Sequence, residues 1–262
     1  TYTINGALEY AMGIHESGFG RSNISVSKNN LFGMNAVDID PSGQATGFAT
    51  VRDGILTHAK KYLSWGYSDP VSDSRYYGFY LGNKGGGMNV KYASDPFWGE
   101  KIAAYYHRVD AANGKKDLDF YQLGMIQNST GVSVYAQPNS SSKELYKTKN
   151  NSSGATIKHY PVIVIGESGD YYKIKTDTPI VNGSPSYSGT YNSSTSVGYV
   201  KKSAVQLVNN GRYTEGSVTP PSTGGSTEGS SNQDQSLIGT TIGGLKVTEG
   251  ISTGTITTDN LN

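Results

Sequence analysis

The chain of 262 residues has no cysteine. That excludes disulfide staples and thiolate metal sites, and it fits a protein facing an oxidising exterior that folds without bridges. The four histidines are scattered without the spacing of zinc ligands, so neither a metal nor a cofactor is expected. No run of about 18 apolar residues occurs, so no membrane contact is expected. No signal peptide begins at Thr1, and any secretion signal lies outside this sequence. Charge is sparse and balanced: 22 Lys and Arg stand against 21 Asp and Glu, a formal net charge of +1. This leaves no basic face for nucleic acid. A Gly-x-Ser-x-Gly elbow, a phosphate-cradling loop and a dinucleotide fingerprint are all missing, so serine-nucleophile hydrolysis and nucleotide chemistry have no support.

What is present in quantity is glycine, 34 residues, and tyrosine, 20 residues, with many Ser, Thr and Asn. Flat aromatic faces can stack on sugar rings and amides and hydroxyls can bond their hydroxyls; a Tyr-rich core would have the same composition. The stretch His15 to Ser22 organises the first part of the chain. Ile4, Ala7, Leu8 and Ala11 recur at the spacing of a helix face packed on a core, so Glu16 falls where a buried helix stops. A carboxylate there is expected to be partly desolvated, which favours its protonated form and suits a general acid. A surface glutamate at a helix end would have the same local sequence. His15 adjoins Glu16, but neighbours on a helix point in different directions, and it reads as structural.

Two further helices are predicted in residues 1–112. One runs from Val51 to Trp65, with Thr50 and Asp53 as its capping pair. The other runs from Pro96 to Val109, with Asp95 at the N-cap and Pro96 at the first helical position. The loops Asn29 to Gly47 and Asp69 to Ser94 are long enough to build a cleft wall. From 120 to 210 the pattern changes to short strands, at Gly131–Tyr135, Pro161–Ile165, Tyr171–Lys175 and Gly198–Val200, with turn clusters such as Glu167 to Asp170. That predicts a small all-β barrel. Ten lysines against six carboxylates over residues 111–210 make it mildly basic, as an anionic wall polymer or a solvated surface would each explain. Residues 211–236 are Gly, Ser, Thr and Pro with few large apolar residues, a flexible linker. Residues 237–262 begin a further segment or form an assembly tail. The fold class is therefore a multi-domain α+β chain.

Three motifs carry a resemblance. Glu16-Ser-Gly-Phe-Gly-Arg-Ser22, Asn29-Asn-Leu-Phe-Gly-Met34, and Lys91-Tyr-Ala-Ser-Asp-Pro96 with Trp98-Gly-Glu-Lys-Ile102 occur in the order found in the bacterial N-acetylglucosaminidases of glycoside hydrolase family 73. The resemblance implies a lysozyme-like fold and cleavage of peptidoglycan glycan strands after N-acetylglucosamine. It matches Glu16 to the catalytic acid and Tyr92 to a tyrosine beside the scissile bond. Asp95 is either a contact to the attacking water or sugar, or simply a helix cap. Asn30, Phe32 and Gly33 belong to a motif that in the family forms part of the cleft. Asp38, Asp40 and Asp53 are rival second carboxylates, Asp53 more simply a cap. An N-terminal helix usual in the family is missing from this sequence. The segment ending in Gly198-Tyr-Val-Lys-Lys202 is similar to bacterial SH3-like wall-binding modules. These resemblances place the chain outside the cell at the wall. The tail around Gly254 to Leu261 is similar to repeats of phage tail and fibre proteins, which adds virion or wall assembly partners and a virion tail location as alternatives. A muramidase or lytic transglycosylase would use the same Glu16 on another bond, and a binding protein would hold glycan without cutting it.

Overall fold

The computed structural model describes residues 2–36, 39–126, 131–149, 154–155, 157 and 159–213, and three short strands farther on. Asp38, the linker beyond residue 213 and most of the tail lie outside the described residues.

The helical half begins with α1, Gly6–Ser17. Asn5 starts it by accepting the backbone N–H groups of Ala7 and Leu8 at 2.8 and 3.2 Å, two of the donors a helix start leaves unpaired. Of the expected face Ala11 is buried, Ala7 and Leu8 are half-buried and Ile4 lies ahead of the helix; Met12 and Ile14 are buried beside them. α1 stops at Gly18, and Gly18, Phe19 and Gly20 follow one another in left-handed backbone. Glycine takes that conformation without strain, which explains the glycines around Glu16. Ser22 then caps α2, Asn23–Lys28, and α3 is the single turn Pro41–Gln44.

The helix predicted from Val51 to Trp65 is present but changes pitch. α4, Val51–Thr57, is capped by Thr50, whose hydroxyl accepts the Asp53 N–H at 3.1 Å. It continues as a π-helical segment, His58–Tyr67. Such wide turns are rare and shift the phase of every residue after them. His58, Leu63 and Tyr67 within the segment are buried, while Val51, at the start of α4, is exposed. The last helix, α5, is Trp98–Ala112, two residues later than expected. Asp95 and Pro96 form the turn before it, where Asp95 accepts the Phe97 N–H at 2.9 Å. α5 packs on α1 around Met12, Phe32, Leu63, Met88, Trp98 and Ile102. At Gly99 a Cβ would stand 2.1 Å from the Gly82 carbonyl oxygen, so only glycine lets the loop before it lie against the start of α5.

Nine of the strands follow the helices: β1 Gln122–Ile126, β2 Ser133–Tyr135, β3 Glu144–Lys147, β4 Tyr160–Ser168, β5 Tyr171–Lys175, β6 Ile180–Val181, β7 Ser184–Pro185, β8 Val197–Lys201 and β9 Val205–Leu207. Seven make one antiparallel sheet in the order β3-β2-β8-β5-β4-β1-β9. The expected SH3-like barrel is thus, in these pairings, a seven-stranded sheet with β3 and β9 at its edges. β6 and β7 form a separate hairpin. Its turn residues Asn182 and Gly183 both have positive φ, the sequence and geometry that match strand twist. Three further strands, β10 Thr241–Ile242, β11 Leu245–Val247 and β12 Ile256–Thr257, pair antiparallel in the tail segment.

The two halves share a core. Tyr76, from the loop after the π-helical segment, is fully buried among Ile126, Val134, Tyr160, Val164 and Ile174 of the sheet. Its hydroxyl lies 2.6 Å from that of Tyr160 and donates to Asp177 at 3.1 Å. Asp177 also accepts the Tyr160 hydroxyl at 2.6 Å and the Phe79 backbone N–H at 2.8 Å. Trp65 adds a bond from its indole N–H to the Gly189 carbonyl at 3.4 Å.

Candidate active site

Four elements converge on Glu16. The side chain leaves the last turn of α1, partly buried, and its Oε1 accepts the indole N–H of Trp98 at 2.6 Å. Trp98 is 1 % exposed at the first position of α5. Its ring stacks on Tyr92, with centroids 4.5 Å apart and planes 28° apart. Tyr92 follows the 3-10 turn Met88–Val90, which Asn89 fastens by donating its amide to the carbonyls of Asp95 and Pro96 at 3.0 and 3.2 Å. Since Oε1 of Glu16 faces a donor, a protonated Glu16 carries its hydrogen on Oε2, the oxygen left free of that bond. Around it, Phe19 meets Tyr105 edge to face at 5.6 Å, and His15 lies 6.1 Å from the same ring. Phe97 is 63 % exposed just ahead of Trp98.

Behind this layer, the Tyr92 hydroxyl is 2.8 Å from Nε2 of His58, and Nδ1 of His58 is 2.8 Å from Oε1 of Glu9. Phe32 lies flat on the imidazole, 3.7 Å between centroids and 5° between planes. Burial, joined by the charges of Glu16 and Glu9, pushes the Tyr92 phenol well above its ordinary value, so the phenol is neutral at any physiological pH.

Asp95 is placed beside α5 with both oxygens engaged. Oδ1 accepts the Phe97 N–H and Oδ2 pairs with Lys101 at 2.6 Å. The Lys101 bond first, then the Phe97 N–H, hold its carboxyl below the usual value, with a smaller contribution from His15. Asn30 is 1 % exposed, and its amide is saturated inside its own loop: it donates to the Met34 and Thr46 carbonyls and accepts the Phe32 and Met34 N–H groups. Gly33 holds left-handed backbone in the same turn. Of the motif, then, Asn30 and Phe32 face inward, Asn30 shaping the loop and Phe32 covering His58. Asp40 accepts the Gly43 N–H at 2.8 Å and Asp53 the Thr50 hydroxyl at 2.7 Å, both local turn and cap contacts. Among the described residues no group of three metal-ligating side chains forms.

Residues 1–111 match the family model described as mannosyl-glycoprotein endo-beta-N-acetylglucosaminidase. The matches support a glycoside hydrolase. Two Streptococcus pneumoniae proteins, from strains TIGR4 and R6 and each named as an endo-beta-N-acetylglucosaminidase, are 43% identical over 116 residues, 44% of this chain. The chain spans only 17% and 16% of those relatives' own length. All the contacts of Glu16, Trp98, Tyr92, His58 and Glu9 fall inside the glucosaminidase-like region, and the seven-stranded sheet falls after it. Sequence reasoning passed over Glu9 and His58. The one signal available was that Glu9 and Glu16 are seven residues apart, two helical turns, which puts both carboxylates along one side of α1.

Proposed function

We propose that the region cleaves the β-1,4 bond after N-acetylglucosamine in bacterial peptidoglycan, with Glu16 as general acid. The observation that carries this is the Trp98 indole N–H on Glu16 at 2.6 Å. It fixes the carboxyl at the edge of α1 and directs the proton on Oε2 to whatever glycosidic oxygen is bound there. A proton delivered by such a placed acid contributes on the order of 10²- to 10⁴-fold as the anomeric carbon gains oxocarbenium character. The matches over residues 1–111 support the sugar on the non-reducing side of the cut. Tyr92, neutral and held beside Trp98, lines the same wall. Asp95, with both oxygens occupied, acts first by setting the turn that aims Trp98 at Glu16.

The sheet is proposed to hold the enzyme on the wall from outside the cell, which raises the effective concentration of glycan at the site. A groove of about 660 Å³ between the β6–β7 hairpin and strands β3 and β8, lined by Leu145, Ile180, Val181, Asn182, Thr190 and Asn192, supports that role. The function is tested by digesting purified walls, reducing the products and reading their ends by mass spectrometry. Reduced N-acetylglucosamine ends are expected; reduced muramic acid ends, or 1,6-anhydro ends, would replace this reading with a muramidase or a lytic transglycosylase.

A further inference from the structure

Glu9 and His58 take no part in the proton donation, yet they are 5 % and 1 % exposed. Oε2 of Glu9 has no hydrogen-bond partner among the described residues. Burying a carboxylate so incompletely paired costs several kcal/mol that a leucine at the same place would avoid. Packing alone therefore does not explain the pair. What the pair does touch is a continuous run of contacts that ends on the acid. Glu9 meets His58, His58 meets the Tyr92 hydroxyl, Tyr92 stacks on Trp98, and Trp98 donates to Glu16.

One set of hydrogen positions gives each bond of this run a donor and an acceptor. A carboxylate only accepts, so Nδ1 of His58 carries the hydrogen it gives to Glu9. In the neutral ring Nε2 then has a lone pair, and the Tyr92 O–H donates to it. Tyr92 has that proton to give, because burial and the nearby carboxylates keep its phenol neutral. Phe32 fixes the plane of the imidazole by lying flat on it. With its hydroxyl tied down at one end, the Tyr92 ring cannot slide across the indole.

We propose that Glu9 and His58 are positioning residues for the hydrolysis: through the Tyr92 hydroxyl they fix the Tyr92 ring on Trp98, and so keep the indole N–H on Oε1 of Glu16. The proposal rests on the reading of Glu16 as the acid, and it gives the buried pair a consequence at a carboxyl two helical turns away, about 10 Å along the axis.

The test uses the full chain and two readouts. The first does not depend on catalysis. Nitrogen-15 NMR of the imidazole should find His58 protonated on Nδ1 and bare on Nε2; a hydrogen on Nε2, in either the other neutral tautomer or the imidazolium, overturns the relay. The second is a double-mutant cycle on soluble glycan fragments, run well below the melting temperature of every variant. Glu9→Gln should lower kcat about tenfold, the scale of one charge-assisted hydrogen bond, and leave KM within about twofold. Tyr92→Phe should do much the same, and the double variant should be no slower than Tyr92→Phe by more than about twofold, because both changes cut one path. Losses that multiply, or a folded Glu9→Gln with wild-type kcat, overturn the proposal. If Glu9→Gln melts below the assay temperature, Glu9→Asp takes its place under the same criterion. A wild-type chain that releases no reducing ends defeats the hydrolase reading instead, and the NMR result still decides how Tyr92 is held.

Discussion

Replacing Tyr76 tests whether the sheet is a bead on a string or part of the helical half's own support. Tyr76 belongs to the loop after the π-helical segment but is 0 % exposed inside the core of the sheet. Truncating a fully buried aromatic side chain costs about 3–5 kcal/mol. Tyr76→Ala also removes one of the three donors on Asp177, leaving Tyr160 and the Phe79 N–H. For a chain with this much ordered structure, about 2–4 °C per kcal/mol, the melting temperature should fall by roughly 10 °C. Tyr76→Phe keeps the ring and loses only the hydroxyl, so it should cost about 1.5–3 kcal/mol. Differential scanning calorimetry with near-UV circular dichroism is the assay. One transition, shifted as a whole, is expected, since the helical half and the sheet are joined through Tyr76, Asp177 and Trp65. A shift under about 2 °C, or two transitions of which only one moves, would refute the reasoning. A chain cut after Ala112 strips the same partners from Tyr76 and should be destabilised on a similar scale.

Asp177 gives a pH test. Burial raises its pKa, outweighing the bonds from Tyr160, Phe79 and Tyr76. A carboxyl raised in the folded state contributes stability that is complete below its unfolded pKa, about 3.9, and is lost as pH climbs through the folded value. Asp177→Asn should therefore gain on wild type in melting temperature from about pH 4 upward; a difference that stays flat or reverses speaks against it. Asp95→Asn keeps a good turn acceptor but loses the Lys101 ion pair, an exposed contact of small worth. It should leave the melting temperature nearly unchanged and slow hydrolysis less than about tenfold. A drop beyond 10²-fold in a fully folded variant would give Asp95 a direct part in the chemistry.

The sequence made a helix cap and the local motifs legible, and lost what depends on distant packing. Thr50 caps its helix as its side chain dictates, whereas the start of α1 at Asn5, after Ile4, and its stop at Gly18 were not read. The Val51 helix could not be read correctly past Thr57, because a periodicity of 3.6 has no way to register the wider turns that follow. Asp95 and Pro96 read as the first residues of a helix, yet the turn is pulled out of it by Asn89, a residue remote from any capping rule. Strands β1 and β9 were missed where glycine and glutamine interrupt short apolar runs, and β3, β6 and β7 because two to four residues carry too little pattern. The position of Glu16, between an apolar helix and a glycine turn, was legible, but its bond from Trp98 was not. Asn30 and Phe32 were legible as a motif but not as inward-facing residues. Glu9 and His58 are 49 positions apart, and nothing local to either says that they meet.

The central claim is that Glu16 supplies the proton, and Glu16→Gln isolates it. The amide keeps the shape of the side chain, and its oxygen can still accept the Trp98 indole N–H, but it has no acidic proton to donate. Reducing-end release from purified walls should fall by at least about 10²-fold, while the melting temperature and the circular dichroism spectrum stay those of the parent chain. A folded Glu16→Gln protein that still releases reducing ends within about tenfold of the wild-type rate would contradict the account.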